Sequence, residues 1–261
     1  NLKQIGLALH TYHDAMRSLP VGWDAYDPLT KLPHFEGEPG WSWSARMLPF
    51  MEQGVLFNEK VHLTRPINDP SNAEARVFSV NIFRCPSDIG ESTFLLEADP
   101  DPTTYHGSLS ATYAPVELAV GNYLGVFGTT DPHDVADPVT HLCFGNGTFM
   151  HHKYLRLTDL TDGMSNTLIV GERSSKHAPP TWVGQVTGGL HGPCHLIGIG
   201  SFAPYADADE EEWSHSFSSF HPHGANFLLG DGSVRFISQS IAKGTFQALC
   251  TRAGSEVVGD Y

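Results

Sequence analysis

The stretch FHPHGANFLLGDGSVRFI, residues 220–237, sets His221, His223 and Asp231 close together in the chain. Imidazole nitrogens bind zinc and its neighbours, whereas carboxylate oxygens suit Ca2+. His221 and His223 are therefore candidate transition-metal ligands, and the Pro-His-Gly turn exposes the His223 ring; spacing alone names no third ligand. Asp231, with Asp159 and Asp162 from KYLRLTDLTDG, is a candidate Ca2+ ligand in a site of loop carboxylates and backbone carbonyls. Each residue also has a structural reading. The histidines can cap the hairpin entry, Asp159 can cap a helical turn, and Asp162 and Asp231 can be turn residues.

Asp231-Gly232 is the pair that a type I′ hairpin turn prefers. With those two residues central, Leu229 faces Val234, Leu228 faces Arg235 and Phe227 faces Phe236. Alternation then puts Phe227, Leu229, Val234 and Phe236 on one core-facing side. At about 3.3 Å per residue, Ala225 and Asp231 lie roughly 20 Å apart. Ligands must approach one ion to about 2–2.6 Å. The predicted hairpin thus keeps His221 and His223 away from any ion held by Asp231, and the motif reads as a folded-back pair of strands.

Other candidates are weaker. HGPCH (191–195) holds zinc if Cys194 is free, and is otherwise a disulfide-anchored loop; His151-His152 is a second histidine cluster. Ser165 and the serines of HSFSSF lie in no G-x-S-x-G elbow, and no phosphate-binding glycine loop is present. Trp41, Trp43, Trp182 and Trp213, with Tyr205, are either a sugar-stacking platform or core.

Charge narrows the partners. Fifteen basic against 29 acidic residues give a net charge of −14, which excludes nucleic acid and anionic lipid headgroups as natural partners. No apolar run reaches the roughly 18–20 residues of a membrane span. Cys85, Cys143, Cys194 and Cys250 contain no CxxC pair, and at least one disulfide in an oxidising compartment is expected. The 26 glycines and 18 prolines suit a loop-rich extracytoplasmic domain.

The elements that must position these residues begin with a helix. Leu2, Ile5, Leu9, Tyr12 and Met16 recur at steps of three and four, so residues 1–20 are predicted to be the C-terminal part of a longer spine helix, ended by Pro20. A second helix is expected over 40–59, and strands over 80–84, within 113–128, over 167–171 and within 178–186. A hairpin is expected over 225–237 and a tail helix within 240–257. Residues 89–150 and 187–215 read as probable insertions. The sum is a single α+β domain over 1–261, with a helix packed on an antiparallel sheet.

Four blocks, NLKQIGLALHTYHD, FRCPSD, LTDGMSNTLIVGE and His221 followed by nine residues and Asp231-Gly232, together resemble the prepilin-type proteins with an H-x9-D-G signature expanded in planctomycete bacteria. That resemblance, to a domain of unknown function, implies a type IV pilin-like or type II secretion pseudopilin-like architecture and no established reaction. It implies membrane attachment through an absent N-terminal helix, a periplasmic or cell-surface location, and other pilin-like subunits or secretion components as partners. It also raises the calcium reading. Two alternatives stand beside it: an extracytoplasmic module binding glycans or divalent cations, and a metal-dependent hydrolase.

Overall fold

The computed structural model describes residues 1–99, 115–176, 178–204, 215–256 and 259. Helix α1 (Leu2–Met16) buries Leu2, Ile5, Leu9 and Tyr12, as the stripe requires, while Leu7 on its other side is 70% exposed. It stops a turn before Pro20. Arg17 takes a left-handed conformation (φ 62°) and its N–H donates to the His13 carbonyl at 2.7 Å, leaving Met16 outside the buried stripe. No helix among the described residues is long and apolar enough to cross a membrane.

Two small antiparallel pairs, β1 (Trp23–Tyr26) with β2 (Glu38–Ser42) and β3 (Thr93–Leu96) with β4 (Val116–Ala119), accompany a five-stranded sheet. Its strands are β5 (Tyr123–Gly128), β6 (Leu168–Glu172), β7 (Ile197–Ile199), β8 (Gly224–Leu229) and β9 (Val234–Ser238), in the order β7-β5-β6-β8-β9. Only β5 and β7 pair in parallel. The chain is α+β, as its pattern indicates. The stretches read as insertions carry β5 and β7, so both supply strands of the central sheet.

The sheet is covered on both sides. Leu228 and Val234 join α1 and the tryptophan-rich cluster of Trp23, Trp41, Trp43 and Trp182. Ala225, Phe227, Leu229 and Ile237 face the C-terminal helix (Lys243–Cys250), where Phe227 packs against Phe217 and Phe246 at ring separations of 5.1 and 5.5 Å. Alternation along β8 accounts for this division. Where α1 crosses β8 the approach is close: a Cβ at Gly6 would lie 2.8 Å from Leu228 Cδ1.

The hairpin forms, but in a different register. Leu228 pairs with Val234 and Phe227 with Arg235. Among Gly230, Asp231 and Gly232 only Gly232 has a positive φ, 81°, so the loop is a three-residue turn with a glycine bulge rather than type I′. The cause lies outside the hairpin: the Gly230 and Asp231 amides donate to the carbonyls of Thr167 and Met164, both at 3.0 Å. A one-residue slip sends the expected partners to opposite faces. Phe236 pairs with Asn226 and is 49% exposed, so the predicted apolar quartet does not exist.

Other local expectations shift similarly. Residues 40–59 divide into the end of β2, a helix over Trp43–Met47 capped by Ser42, a 3-10 turn carrying Pro49, and a helix over Gly54–Lys60. Residues 81–83 form a 3-10 turn where a strand is expected, and 178–186 contribute only isolated bridges at Thr181 and Gly184. All four cysteines are buried free thiols, against the expectation of a disulfide. They are sequestered separately; the Cys143 thiol donates to the Pro132 carbonyl at 3.1 Å, and Cys250 belongs to the C-terminal helix.

His151 yields a pH prediction. Its ring is buried against Trp23, Nε2 lies 3.1 Å from the Ala25 carbonyl, and Nδ1 has no hydrogen-bond partner. Burial, then the neighbouring His152, pushes its pKa down to about 3. The unfolded chain takes up that proton near pH 6.5 and the native protein does not, so stability falls as pH drops from 6.5 towards 3. Between pH 7 and 4.5 this one ring accounts for about 2–3 kcal/mol. Denaturant titrations of wild type and His151→Gln at both pH values are expected to show a smaller loss in the variant; equal losses would contradict this assignment.

Candidate functional site

Cys85, Glu172 and His221 meet beside the N-terminal end of α1. Cys85 stands in the Cys-Pro-Ser-Asp turn, its N–H donating to Asn122 Oδ1 at 2.9 Å. Glu172 is the last residue of β6, opposite Tyr123 of β5. Its Oε2 accepts from the Asn226 backbone N–H at 2.7 Å and from Asn226 Nδ2 at 3.0 Å. His221 precedes β8, its backbone N–H donating to Ser219 Oγ at 2.8 Å. His221 Nε2 lies 3.6 Å from Cys85 Sγ and 3.6 Å from Glu172 Oε1. Among the described residues this is the group of three His, Cys, Asp or Glu side chains whose ligand atoms all lie within 4.8 Å of one another.

The cluster opens into a cleft of about 280 Å3 lined also by Asn1, Lys3, Tyr123 and Val234. The Asn1 side chain donates to the Arg84 carbonyl, and Lys3 Nζ donates to the Gly232 carbonyl at 3.1 Å, fixing the helix end to both sides of the cleft. Burial and then Glu172 push the Cys85 thiol up, while the amides of Ser87 and Asp88 act on the sulfur in the opposite sense. Burial and Glu172 likewise raise the Tyr123 phenol. A cysteine nucleophile needs a lowered thiol pKa and a base oriented through its other ring nitrogen. Here the thiol is raised, and sulfur and carboxylate address the same nitrogen. That arrangement is no relay.

The structure separates the sequence-predicted ligands. Asp159 accepts from the Arg156 N–H at 2.8 Å, Asp162 from the amides of Gly254 and Ser255 at 2.7 and 2.8 Å, and Asp231 from the Ser233 N–H at 2.8 Å. Each carboxylate thus serves a turn or cap, and the three form no shared group among the described residues. His223 sits exposed in a left-handed turn (φ 68°), away from the cluster that takes up His221. In HGPCH, both His195 ring nitrogens lie on carbonyl oxygens, Pro179 at 2.7 Å and Leu190 at 3.0 Å, so that ring braces a loop. Trp41, Trp43 and Trp182 are core residues; Trp213 and Tyr205 lie outside the described residues.

A second polar cleft, of about 290 Å3, gathers Asp131, His133, His191 and His215. Asp131 spans His133 Nδ1 at 2.8 Å and His215 Nδ1 at 2.5 Å; burial opposes its ionisation, but hydrogen bonds from both rings hold the carboxyl far below its usual range.

Sequence reasoning missed Cys85 and Glu172 as site residues. The available signal was a carboxylate closing the apolar run LIVGE, a residue type that is buried only with partners. The four stretches quoted for the resemblance converge here: α1 lines the cleft, FRCPSD brings Cys85, LTDGMSNTLIVGE brings Glu172, and the H-x9-D-G stretch brings His221. No curated protein and no solved structure matches the chain. Residues 1–244, however, match the family described as protein of unknown function DUF1559, and the chain belongs to that family.

Proposed function

We propose that the chain is the ectodomain of a pilin- or pseudopilin-like subunit of the cell surface or a secretion apparatus, facing the periplasm or exterior. In this reading α1 is the ectodomain end of a longer, membrane-seated helix, and the partners are other subunits of the same kind. The observation that supports it is the two-sidedness of α1. One stripe is buried on the sheet, while Leu7, on the opposite side of the helix, is 70% exposed and stands where a neighbouring helix can cover it. The packing of one stripe fixes the domain to the helix, so the helix carries the domain into an assembly.

The test places a cysteine at Leu7 in the full-length precursor, made in cells with a prepilin peptidase, and applies a short thiol cross-linker to intact envelopes. The expected result is a ladder of covalent oligomers, lost when the cysteine is placed instead at buried Leu9. A membrane-associated protein that stays monomeric under the same treatment contradicts the proposal.

A further inference from the structure

We propose that Cys85, Glu172 and His221 form a binding site for one divalent transition metal of the zinc class, with a fourth coordination position open to the cleft beside α1. The inference stands independently of the pilin-like reading.

Distances carry the argument. Zn–S bonds of about 2.3 Å and Zn–N bonds of about 2.0–2.1 Å at a tetrahedral angle put sulfur and nitrogen about 3.6 Å apart, and nitrogen and oxygen about 3.4 Å apart. The observed separations from His221 Nε2 are 3.6 Å to Cys85 Sγ and 3.6 Å to Glu172 Oε1. The second is too long for a hydrogen bond. The single proton that Nε2 can carry is shared at best between two acceptors that both stand 3.6 Å away. A cation among the three atoms answers all of them at once.

The donor set then selects the metal. One thiolate, one imidazole and one carboxylate suit zinc and neighbouring divalent ions, whereas Ca2+ and Mg2+ take oxygen ligands. Each ligand is also held from behind. Asn226 fixes Oε2 of Glu172 and leaves Oε1 turned to the cluster. Asn122 holds the Cys85 amide, and its own Nδ2 donates to Asp88 and, at 3.0 Å, to the Arg173 carbonyl. Such outer partners orient ligands. On binding, a sulfur–metal bond forms and the Cys85 proton leaves to solvent, so affinity falls on acidification. Three protein ligands leave room for a water at the fourth position. The ion would tie together three segments far apart in sequence, and its expected effect is to stabilise the fold around the head of α1.

The experiment titrates reduced, chelator-stripped protein with Co2+ and then Zn2+, following visible absorption and melting temperature. Expected are one equivalent of Co2+ with the absorption of a tetrahedral thiolate complex, its displacement by Zn2+, and a rise in melting temperature with either ion. Cys85→Ser and His221→Ala are expected to lose both signals, while His223→Ala and Cys143→Ser keep them. Asn226→Ala is expected to weaken Zn2+ binding about tenfold, as loss of an outer partner does. Because a ligand variant can unfold, each is first checked for a cooperative metal-free melt, and Asn226→Ala gives a reading with all three ligands in place. Absence of thiolate-type absorption in wild type, or its survival in a folded Cys85→Ser variant, overturns the proposal.

Discussion

Replacing Leu9 by glutamate is expected to cost at least about 4 kcal/mol of folding free energy. Leu9 is 1% exposed on the buried stripe of α1. Removing it forfeits about 1.5–3 kcal/mol of apolar burial, and the introduced carboxylate adds a desolvation penalty of several kcal/mol with no partner to offset it. The same substitution at Leu7, on the outward side, is expected to stay within about 0.5 kcal/mol. Urea denaturation of both variants measures the contrast. A Leu9→Glu protein that unfolds at the parental midpoint would mean that α1 is not packed on the sheet.

Truncating Phe227 to alanine is the second large effect, expected at about 3–5 kcal/mol. Its ring is fully buried between Phe217 and Phe246, under the C-terminal helix. Phe236→Ala is expected to cost under about 1 kcal/mol, because that ring is half exposed and faces Asn226 across the ladder. The pair tests the hairpin register directly, since a type I′ turn would make Phe227 and Phe236 equivalent core partners. Equal losses in the two variants would favour that other register.

Much of the fold is legible in the residues, and the failures have identifiable causes. The three- and four-residue spacing of Leu2, Ile5, Leu9 and Tyr12 is local, and the helix follows from it. The hairpin exists because alternating apolar text flanks a turn signal. Its register was not legible, because the carbonyls of Thr167 and Met164, sixty residues earlier in the chain, hold the turn amides. Residues 81–83 look like strand by composition but close a short turn next to Asn122, whose N–H donates to the Phe83 carbonyl at 2.7 Å.

The site shows the same division between local and tertiary information. His221 could be named from its neighbours, and its separation from Asp231 followed from strand geometry. Its companions Cys85 and Glu172 lie on a different turn and a different strand, and only the pairing of β6 with β8 and the placement of the Cys-Pro-Ser-Asp turn bring them within reach. The carboxylates Asp159, Asp162 and Asp231 illustrate the reverse case. Their spacing invited a cation, yet each is taken up by backbone amides of its own or an adjoining turn.

X-ray absorption at the zinc edge of the loaded full chain tests the proposed centre most directly. Expected are one sulfur at about 2.3 Å together with nitrogen and oxygen neighbours at about 2.0–2.1 Å, and loss of the sulfur contribution in Cys85→Ser. A first shell of nitrogen and oxygen alone in the wild-type protein would contradict it.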